Sequence, residues 1–173
     1  MQRLIEGPAL VMGDNVNTDV LHPSRFFSLD DAKVREGFLQ ATSNLQDVGH
    51  TDLSGKIILA GDNFGCGSSR ETGARVFLLA GIKAVVARSI ARIFGRNVRN
   101  LGLPAFECPD LPERLESGTI VTIDWDRWTL ELSSHPGALA LKPQDPFWKA
   151  VVAEGGLMPF LGFKDEVPHA AGQ

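Results

Sequence analysis

Several features that other proteins rely on are missing from this sequence of 173 residues. It contains no run of about eighteen apolar residues, so a transmembrane helix is not expected. Its first seven residues lack a basic stretch followed by an apolar one, so a secretory signal is not expected either. It has only two cysteines, Cys66 and Cys108, too few for one chain to hold an iron–sulfur cluster or a zinc ion in the usual way. We therefore predict no metal bound by this chain alone, and a reducing, cytoplasmic setting.

Positive charge is also scarce overall. Lys and Arg number 17 against 21 Asp and Glu, which gives a net charge of −4 and argues against binding to nucleic acid or to a membrane surface. Residues 63–106, however, include seven basic residues and only one acidic residue, Glu71. Such a region inside an acidic protein indicates that a small anion or an acidic partner binds at one place. The spacing of Arg88, Arg92, Arg96 and Arg99 alternatively predicts the solvated face of one helix.

Hydrophobic periodicity predicts an α/β protein with a single domain. A capping pattern at Ser28 and Asp31 predicts a helix over residues 29–42. The order strand, glycine loop, helix, strand, helix then follows over residues 56–60, 61–69, 70–80, 82–87 and 89–100. Residues 119–124 and 127–133 predict a hairpin, and residues 146–154 a short helix. The last ten residues, 164–173, have few apolar side chains and are predicted to form a flexible tail.

The glycine loop, GDNFGCGSSRE at positions 61–71, carries most of the functional information. Ser68 and Ser69 stand where the following helix should be capped, so their amides and hydroxyls are suited to an anion. The planar guanidinium group of Arg70 can donate two parallel hydrogen bonds to a carboxylate. The alternative is an ordinary capped helix. The loop lacks the lysine of a phosphate-binding P-loop, the third glycine of a dinucleotide site and the G-x-S-x-G pattern of a hydrolase.

Four stretches together resemble the small subunit, or swivel domain, of the aconitase family, which includes chains of isopropylmalate dehydratase and homoaconitase. The resemblance covers residues 4–163, nearly the whole chain. It is carried by the glycine loop and by GDNVNTDV at 13–20, ARIFGRN at 91–97 with NLGLP at 100–104, and GGL at 155–157. It implies a swivel fold of β/β/α layers, with a mostly parallel sheet, flanking helices and a smaller hairpin layer.

The resemblance implies a hydro-lyase that is active only with a large subunit, as a heterodimer or heterotetramer. That partner would hold a 4Fe-4S cluster, and the substrate would be a small anionic hydroxy acid. Ser68 would remove the proton next to a carboxylate, and Ser69 and Arg70 would bind substrate carboxylate. Arg25 would be a further carboxylate contact. A serine alkoxide is tolerable only beside cations or a helix N-terminus, which fits the local excess of arginine.

The sequence departs from the family pattern at several places near the motifs. Thr72 stands where histidine or glutamine is usual, Gly95 where tyrosine is common, and Asn17 where aspartate is usual. The segment expected to sense the substrate side chain also differs; its candidate residues are Leu21, His22, Phe26 and Phe27. The resemblance favours isopropylmalate, the substrate of leucine biosynthesis, and leaves homocitrate-type acids and methylmalates open. A non-catalytic anion-binding module and a serine hydrolase are the alternatives from other classes.

Overall fold

The computed structural model describes residues 4–26, 28, 30–42, 53–67 and 71–163, with the side chains of residues 39–42 and 72 left aside. Its seven strands form one sheet in the order β4-β3-β2-β1-β5-β6-β7. Strands β1 to β4 pair in parallel, and β1, β5, β6 and β7 pair antiparallel. The strands are β1 Leu4–Val11, β2 Ile57–Ala60, β3 Ala84–Ala87, β4 Ala105–Glu107, β5 Ile120–Asp124, β6 Thr129–Leu132 and β7 His135–Ala140.

The α/β class and the swivel-type layering predicted from the sequence are confirmed. Alternate residues of the buried strands β2 and β3 pack into two apolar clusters on opposite faces of the sheet. Ile58 and Val85 belong to the cluster covered by helices. Ile57 and Val86 belong to the other, which they share with Ile123 and other residues of β5 and β6. The antiparallel strands therefore continue the sheet from β1 and curl back over one face, which gives β/β/α layers.

Six α-helices complete the part of the chain that the structure describes. They are α1 Thr18–Leu21, α2 Asp31–Thr42, α3 Thr72–Leu79, α4 Arg92–Asn100, α5 Pro146–Ala153 and α6 Leu157–Phe160. Helix α2 packs against α1 and α3, and α4 packs against α3 and α5. The rings of Phe38, Phe64, Phe77 and Phe94 meet edge to face between them, with centroids 5.2–6.0 Å apart. None of these helices is long and apolar enough to cross a membrane.

Several predicted boundaries are wrong by one to three residues. Helix α2 begins at Asp31 and not at residue 29, and the carboxylate of Asp30 accepts the Ala32 amide at its start. Helix α4 begins at Arg92 and not at Ser89, because the backbone of residues 89–91 is bonded to another loop. The sequence did not predict α1, α6, β4 or β7. The predicted tail, residues 164–173, lies outside the described residues.

The predicted solvated arginine face of α4 is only partly present. Arg92 and Arg96 are exposed, as expected. Arg88 instead precedes the helix and is bound by two carboxylates. Arg99 is half-buried, donates to the Ala105 carbonyl and lies over the ring of Trp148, and burial lowers its pKa. The four-residue spacing did not reveal these tertiary partners.

Candidate active site

Two loops that follow parallel strands meet at the carboxyl edge of the sheet. Residues 12–17 follow β1 and residues 61–67 follow β2. The Gly65 amide donates to the Val16 carbonyl at 2.9 Å, and the Thr18 amide donates to the Cys66 carbonyl at 3.1 Å. Asn17 and Cys66 pair as an isolated parallel bridge. The two motifs that resembled one family, 49 residues apart in the chain, are therefore hydrogen-bonded neighbours.

At two glycines in the second loop, any side chain would be strained and would collide with a neighbouring residue. Gly65 has φ +81°, and a Cβ there would collide with the ring of Phe94. Gly67 has φ +108°, and a Cβ there would collide with the side-chain oxygen of Asn17. That same oxygen accepts the Asp19 amide at 2.8 Å and caps α1. The loop can approach its neighbours this closely only because both positions are glycine.

The opposite side of the glycine loop is fixed by the segment that precedes α4. The Phe64 amide donates to the Ser89 carbonyl at 3.0 Å, and the Ala91 amide donates to the Phe64 carbonyl at 2.8 Å. Glu107, at the end of β4, accepts the Ile90 amide at 3.0 Å and binds Lys142. Burial alone would raise the pKa of Glu107, but these two partners and Arg99 hold it below its ordinary value.

Arg88 joins the ends of three strands in an ionic clasp, defined here as Asp14, Asp62 and Arg88. Its Nη2 lies 2.5 Å from Asp14 Oδ1, and its Nε lies 3.0 Å from Asp62 Oδ2. Asp14 also accepts the backbone amide of Asp62 at 2.8 Å. The hydrogen bond to Asp62 is the main reason that the pKa of Arg88 is raised. The clasp therefore fixes the positions of the two loops relative to each other. It also pairs Arg88 with two carboxylates, so this arginine is not available to bind an anion.

The three residues predicted to do the chemistry, Ser68, Ser69 and Arg70, lie outside the described residues. Their neighbours on both sides are described: Gly67 lies against Asn17, and Glu71 precedes α3. The predicted helix start at residue 70 is wrong, since α3 begins at Thr72 with Glu71 in the cap position. The predicted caps Ser68 and Ser69 therefore precede the cap by two or three residues. The Gly73 position of α3 lies against the Thr18 side chain, so the helix start faces α1.

The predicted specificity residues fall into two environments. Leu21 and His22 are buried, with 3% and 1% of their surfaces exposed, and burial lowers the pKa of His22. Arg25 is exposed on a 3-10 helix, Ser24–Phe26, and its guanidinium lies 4.7 Å from the ring centre of Phe26. Phe26 in turn packs over Gly37 of α2. Phe27 lies outside the described residues.

Asn17 and Arg88 help to hold the two loops of the candidate site in place, and the sequence reasoning missed both roles. The meeting of the two loops did have a signal in the sequence, because the tripeptide GDN occurs at both 13–15 and 61–63. Asn15 and Asn63 both have positive φ, 53° and 55°, and the side-chain Nδ2 of Asn63 donates to the side-chain oxygen of Asn15 at 3.0 Å. The repeat marks two similar turns that follow neighbouring parallel strands and bind each other.

The residues of this chain do not fit an iron–sulfur cluster. Cys108 is buried in the apolar interior and burial raises its pKa to about 11, while the Cys66 thiol donates to the Asn15 carbonyl. Within the described ranges, no three His, Cys, Asp or Glu side chains are grouped so that they could hold a metal ion.

Comparisons with known proteins agree on one family. The profile of the aconitase C-terminal domain matches residues 30–110. The 3-isopropylmalate dehydratase small subunit of Syntrophus aciditrophicus is 37% identical over 159 residues, 92% of this chain and 96% of that protein. The 2,3-dimethylmalate dehydratase small subunit of Eubacterium barkeri is 35% identical over 90% of this chain and 95% of its own.

A solved structure agrees with these sequences. The crystal structure of 3-isopropylmalate dehydratase from Methanocaldococcus jannaschii superposes with a TM-score of 0.78 at 31% identity, and covers 92% of this chain and 93% of that one. The similarity thus extends over most of both chains. The chain belongs to the family of aconitase-type dehydratase small subunits, and is a hydro-lyase subunit.

Proposed function

We propose that this chain and a cluster-bearing large subunit together dehydrate and rehydrate a 2-hydroxy dicarboxylic acid, with 3-isopropylmalate as the substrate and leucine biosynthesis as the pathway. The observation that carries the proposal is the pairing of Asn17 with Cys66. It brings both motif loops to one edge of the sheet, so residues 68–70 connect Gly67, beside Asn17, to the start of α3. Free thiols at Cys66 and Cys108 fit a cytoplasmic location.

In this proposal Ser68 accepts the proton from the substrate carbon next to a carboxylate. A serine alkoxide needs positive surroundings, and the amides at the start of α3 and the Arg70 guanidinium supply them. Ser69 and Arg70 hold a substrate carboxylate, Arg70 through its planar fork. The cluster of the large subunit supplies Lewis-acid chemistry at the substrate hydroxyl. Arg88 has no direct part, since Asp14 and Asp62 already occupy it.

The substrate side chain is proposed to meet the segment over residues 21–27. Arg25 and Phe26 are accessible there, and Arg25 supplies a further carboxylate contact. Leu21 and His22 are buried, so they do not contact the substrate themselves. Their role is to hold the segment over residues 21–27 in position. The relatives include small subunits named for 3-isopropylmalate and for 2,3-dimethylmalate. Homocitrate-type acids are the further alternative. Measuring the turnover of 3-isopropylmalate, 2,3-dimethylmalate and a homocitrate-type acid by the reconstituted complex shows which of them is preferred.

The Ser68→Ala variant in the reconstituted two-subunit enzyme tests the catalytic role. Loss of the base should lower kcat by about a hundredfold or more while KM changes little. Arg70→Lys keeps the charge but loses the fork, so it should mainly raise KM. Steady-state kinetics and the melting temperature are measured for each complex. Ser133→Ala, which removes a serine bonded to the Ile120 amide in the β5–β6 hairpin, is the matched control.

A purely structural role for Ser68 gives a different result. Loss of a structural hydrogen bond costs about 1 kcal/mol of stability and leaves kcat nearly unchanged well below the melting temperature. A Ser68→Ala enzyme with a lower melting temperature and near-complete turnover would therefore overturn the assignment. Co-purification of the two chains, compared with that of Ser133→Ala, checks that assembly is intact.

A further inference from the structure

A glycine in the middle of α2 lies directly against the side chain of Phe26. Gly37 is buried, and a Cβ added to it would overlap the Cβ, Cγ and Cδ2 atoms of Phe26. Because the Cβ of Phe26 is one of these atoms, rotation of the ring could not relieve the overlap. A side chain at position 37 would therefore push the backbone of the 3-10 turn Ser24–Phe26 away from the helix.

The backbone of the helix does not itself require glycine at this position. Gly37 lies inside α2, Asp31–Thr42, and does not have positive φ. Glycine in the interior of a helix is less favourable than alanine, because it loses more conformational freedom on folding. What glycine supplies at position 37 is space, and Phe26 occupies that space.

Helix α2 is held against α3, the helix that follows residues 68–70. Asp31, the first residue of α2, forms an ion pair with Arg75 of α3. Phe38, which follows the glycine, is fully buried and meets the ring of Phe77 of α3 edge to face, with 5.2 Å between the ring centres. The contact with the glycine therefore sets the position of the 3-10 turn relative to α3.

The ring that lies against the glycine also carries a guanidinium group. Arg25 is exposed, and its guanidinium lies 4.7 Å from the centre of the Phe26 ring, within the range of a cation–π contact. The Phe26 amide donates to the Pro23 carbonyl at 3.0 Å, which closes the turn. Because Arg25 and Phe26 belong to one short turn, a shift of Phe26 moves Arg25 as well.

We propose that Gly37 is a specificity-determining position that acts through Phe26 and Arg25. This inference rests on the proposed function, in which Phe26 and Arg25 meet the substrate. Glycine lets the turn lie close to α2, which leaves room for a branched substituent such as the isopropyl group of the substrate. A larger residue at position 37 pushes the turn outwards, narrows that room and displaces the carboxylate contact of Arg25.

Steady-state kinetics of Gly37→Ala in the reconstituted two-subunit enzyme test the proposal. KM for 3-isopropylmalate should rise by about tenfold, while kcat changes by less than about threefold because Ser68 and the cluster are untouched. The kcat/KM for 3-isopropylmalate should fall more than that for 2,3-dimethylmalate, because an isopropyl group is bulkier than a methyl group. Arg35→Ala, at an exposed position of the same helix, is the control and should change none of these constants.

The double variant Phe26→Gly with Gly37→Ala isolates the contact between the two residues. Phe26→Gly removes the atoms that a new Cβ would meet, so it should raise KM by itself, and Gly37→Ala should then add little. The melting temperature should respond differently in the two backgrounds. After Phe26→Gly, alanine at position 37 is only a better helix former and should raise the melting temperature by about 2–4 °C. With Phe26 present, Gly37→Ala should give no such rise.

The outcomes separate this inference from the proposed function. An active wild-type complex with unchanged constants in Gly37→Ala would overturn only the role of Gly37, as would an equal rise in KM with and without the Phe26 ring. A fall in kcat at constant KM would also overturn it, because the effect would then lie on catalysis and not on recognition. If Gly37→Ala does not fold, an unchanged KM in Phe26→Gly would overturn it. A wild-type complex that turns over none of the three acids would remove the proposed function, and this inference with it.

Discussion

At the scale of single residues, Asn15 and Asn63 show how the site obtains its shape. Both adopt positive φ, which asparagine tolerates better than other non-glycine residues. Each lies in the loop that follows a parallel strand, and their side chains bond to each other at 3.0 Å. Gly65 and Gly67 then allow contact with Phe94 and Asn17. The loop geometry is thus fixed by small residues in uncommon backbone conformations, before any catalytic side chain is considered.

His22 should make the stability of the chain depend on pH. Burial lowers its pKa below the ordinary value of 6.5. As pH falls below that value, the unfolded chain takes up a proton that the folded chain refuses, so the free energy of unfolding decreases. Above that value His22 contributes no pH dependence. Melting temperatures between about pH 7.5 and 5 should therefore fall more steeply for wild type than for His22→Gln.

An exposed histidine supplies the control for this titration. His135→Gln, at the exposed start of β7, should leave the wild-type slope unchanged. Parallel melting curves for wild type and His22→Gln would show that His22 is not the group responsible.

At the scale of elements, local periodicity predicted the buried strands and the longer helices but not the elements that tertiary contacts create. Strands β2 and β3 are buried at every position, and the sequence shows them as apolar runs. Helix α1 has four residues and is set by the Asn17 cap and the Cys66 carbonyl. Strand β7 contains Pro136 and Gly137, which weaken any strand signal, and pairs only at the edge of the sheet.

The site itself was predictable from sequence only as two separate motifs. Their pairing depends on β1 lying next to β2 in the sheet, which no local pattern encodes. The start of α4 is another example, because Glu107 of β4 binds the Ile90 amide and stops the helix from beginning at Ser89. The resemblance to a family supplied the residue roles, and the structure supplies the physical link between the motifs.

The ionic clasp should matter more for activity than for stability. Arg88→Met removes both ion pairs, but Asp14 and Asp62 are half-exposed, so the loss should be about 1 kcal/mol, or about 2–4 °C in melting temperature. Because the clasp fixes the loop that carries Ser68, turnover of the complex should fall by about tenfold or more. Arg127→Met, which removes an exposed pair with Asp124, should change neither quantity. A variant that melts earlier but turns over normally would show that the clasp does not position the loop.

At the scale of the whole molecule, the two halves of the sheet share one apolar cluster. Strands β2, β3 and β4 contribute residues from the parallel half, and β5 and β6 from the antiparallel half. Phe106 and Trp125 meet edge to face across this boundary, with ring centres 4.9 Å apart. The halves cannot separate without exposing this cluster, so they should unfold together.

Cys108 gives a direct measure of that shared unfolding. It is fully buried in the cluster, and burial, with a smaller effect of Asp110, raises its pKa to about 11. At pH 8 only about one thiol in a thousand would be ionised even if a reagent reached it. A thiol reagent should therefore label the folded Cys66→Ser variant very slowly, while the half-buried Cys66 of Cys108→Ala reacts readily. In rising denaturant, labelling of Cys108 should follow the loss of tryptophan fluorescence, because both report separation of the two halves. Labelling of Cys108 well before that loss would show that one half opens alone, and that the cluster does not bind the sheet into a single cooperative unit.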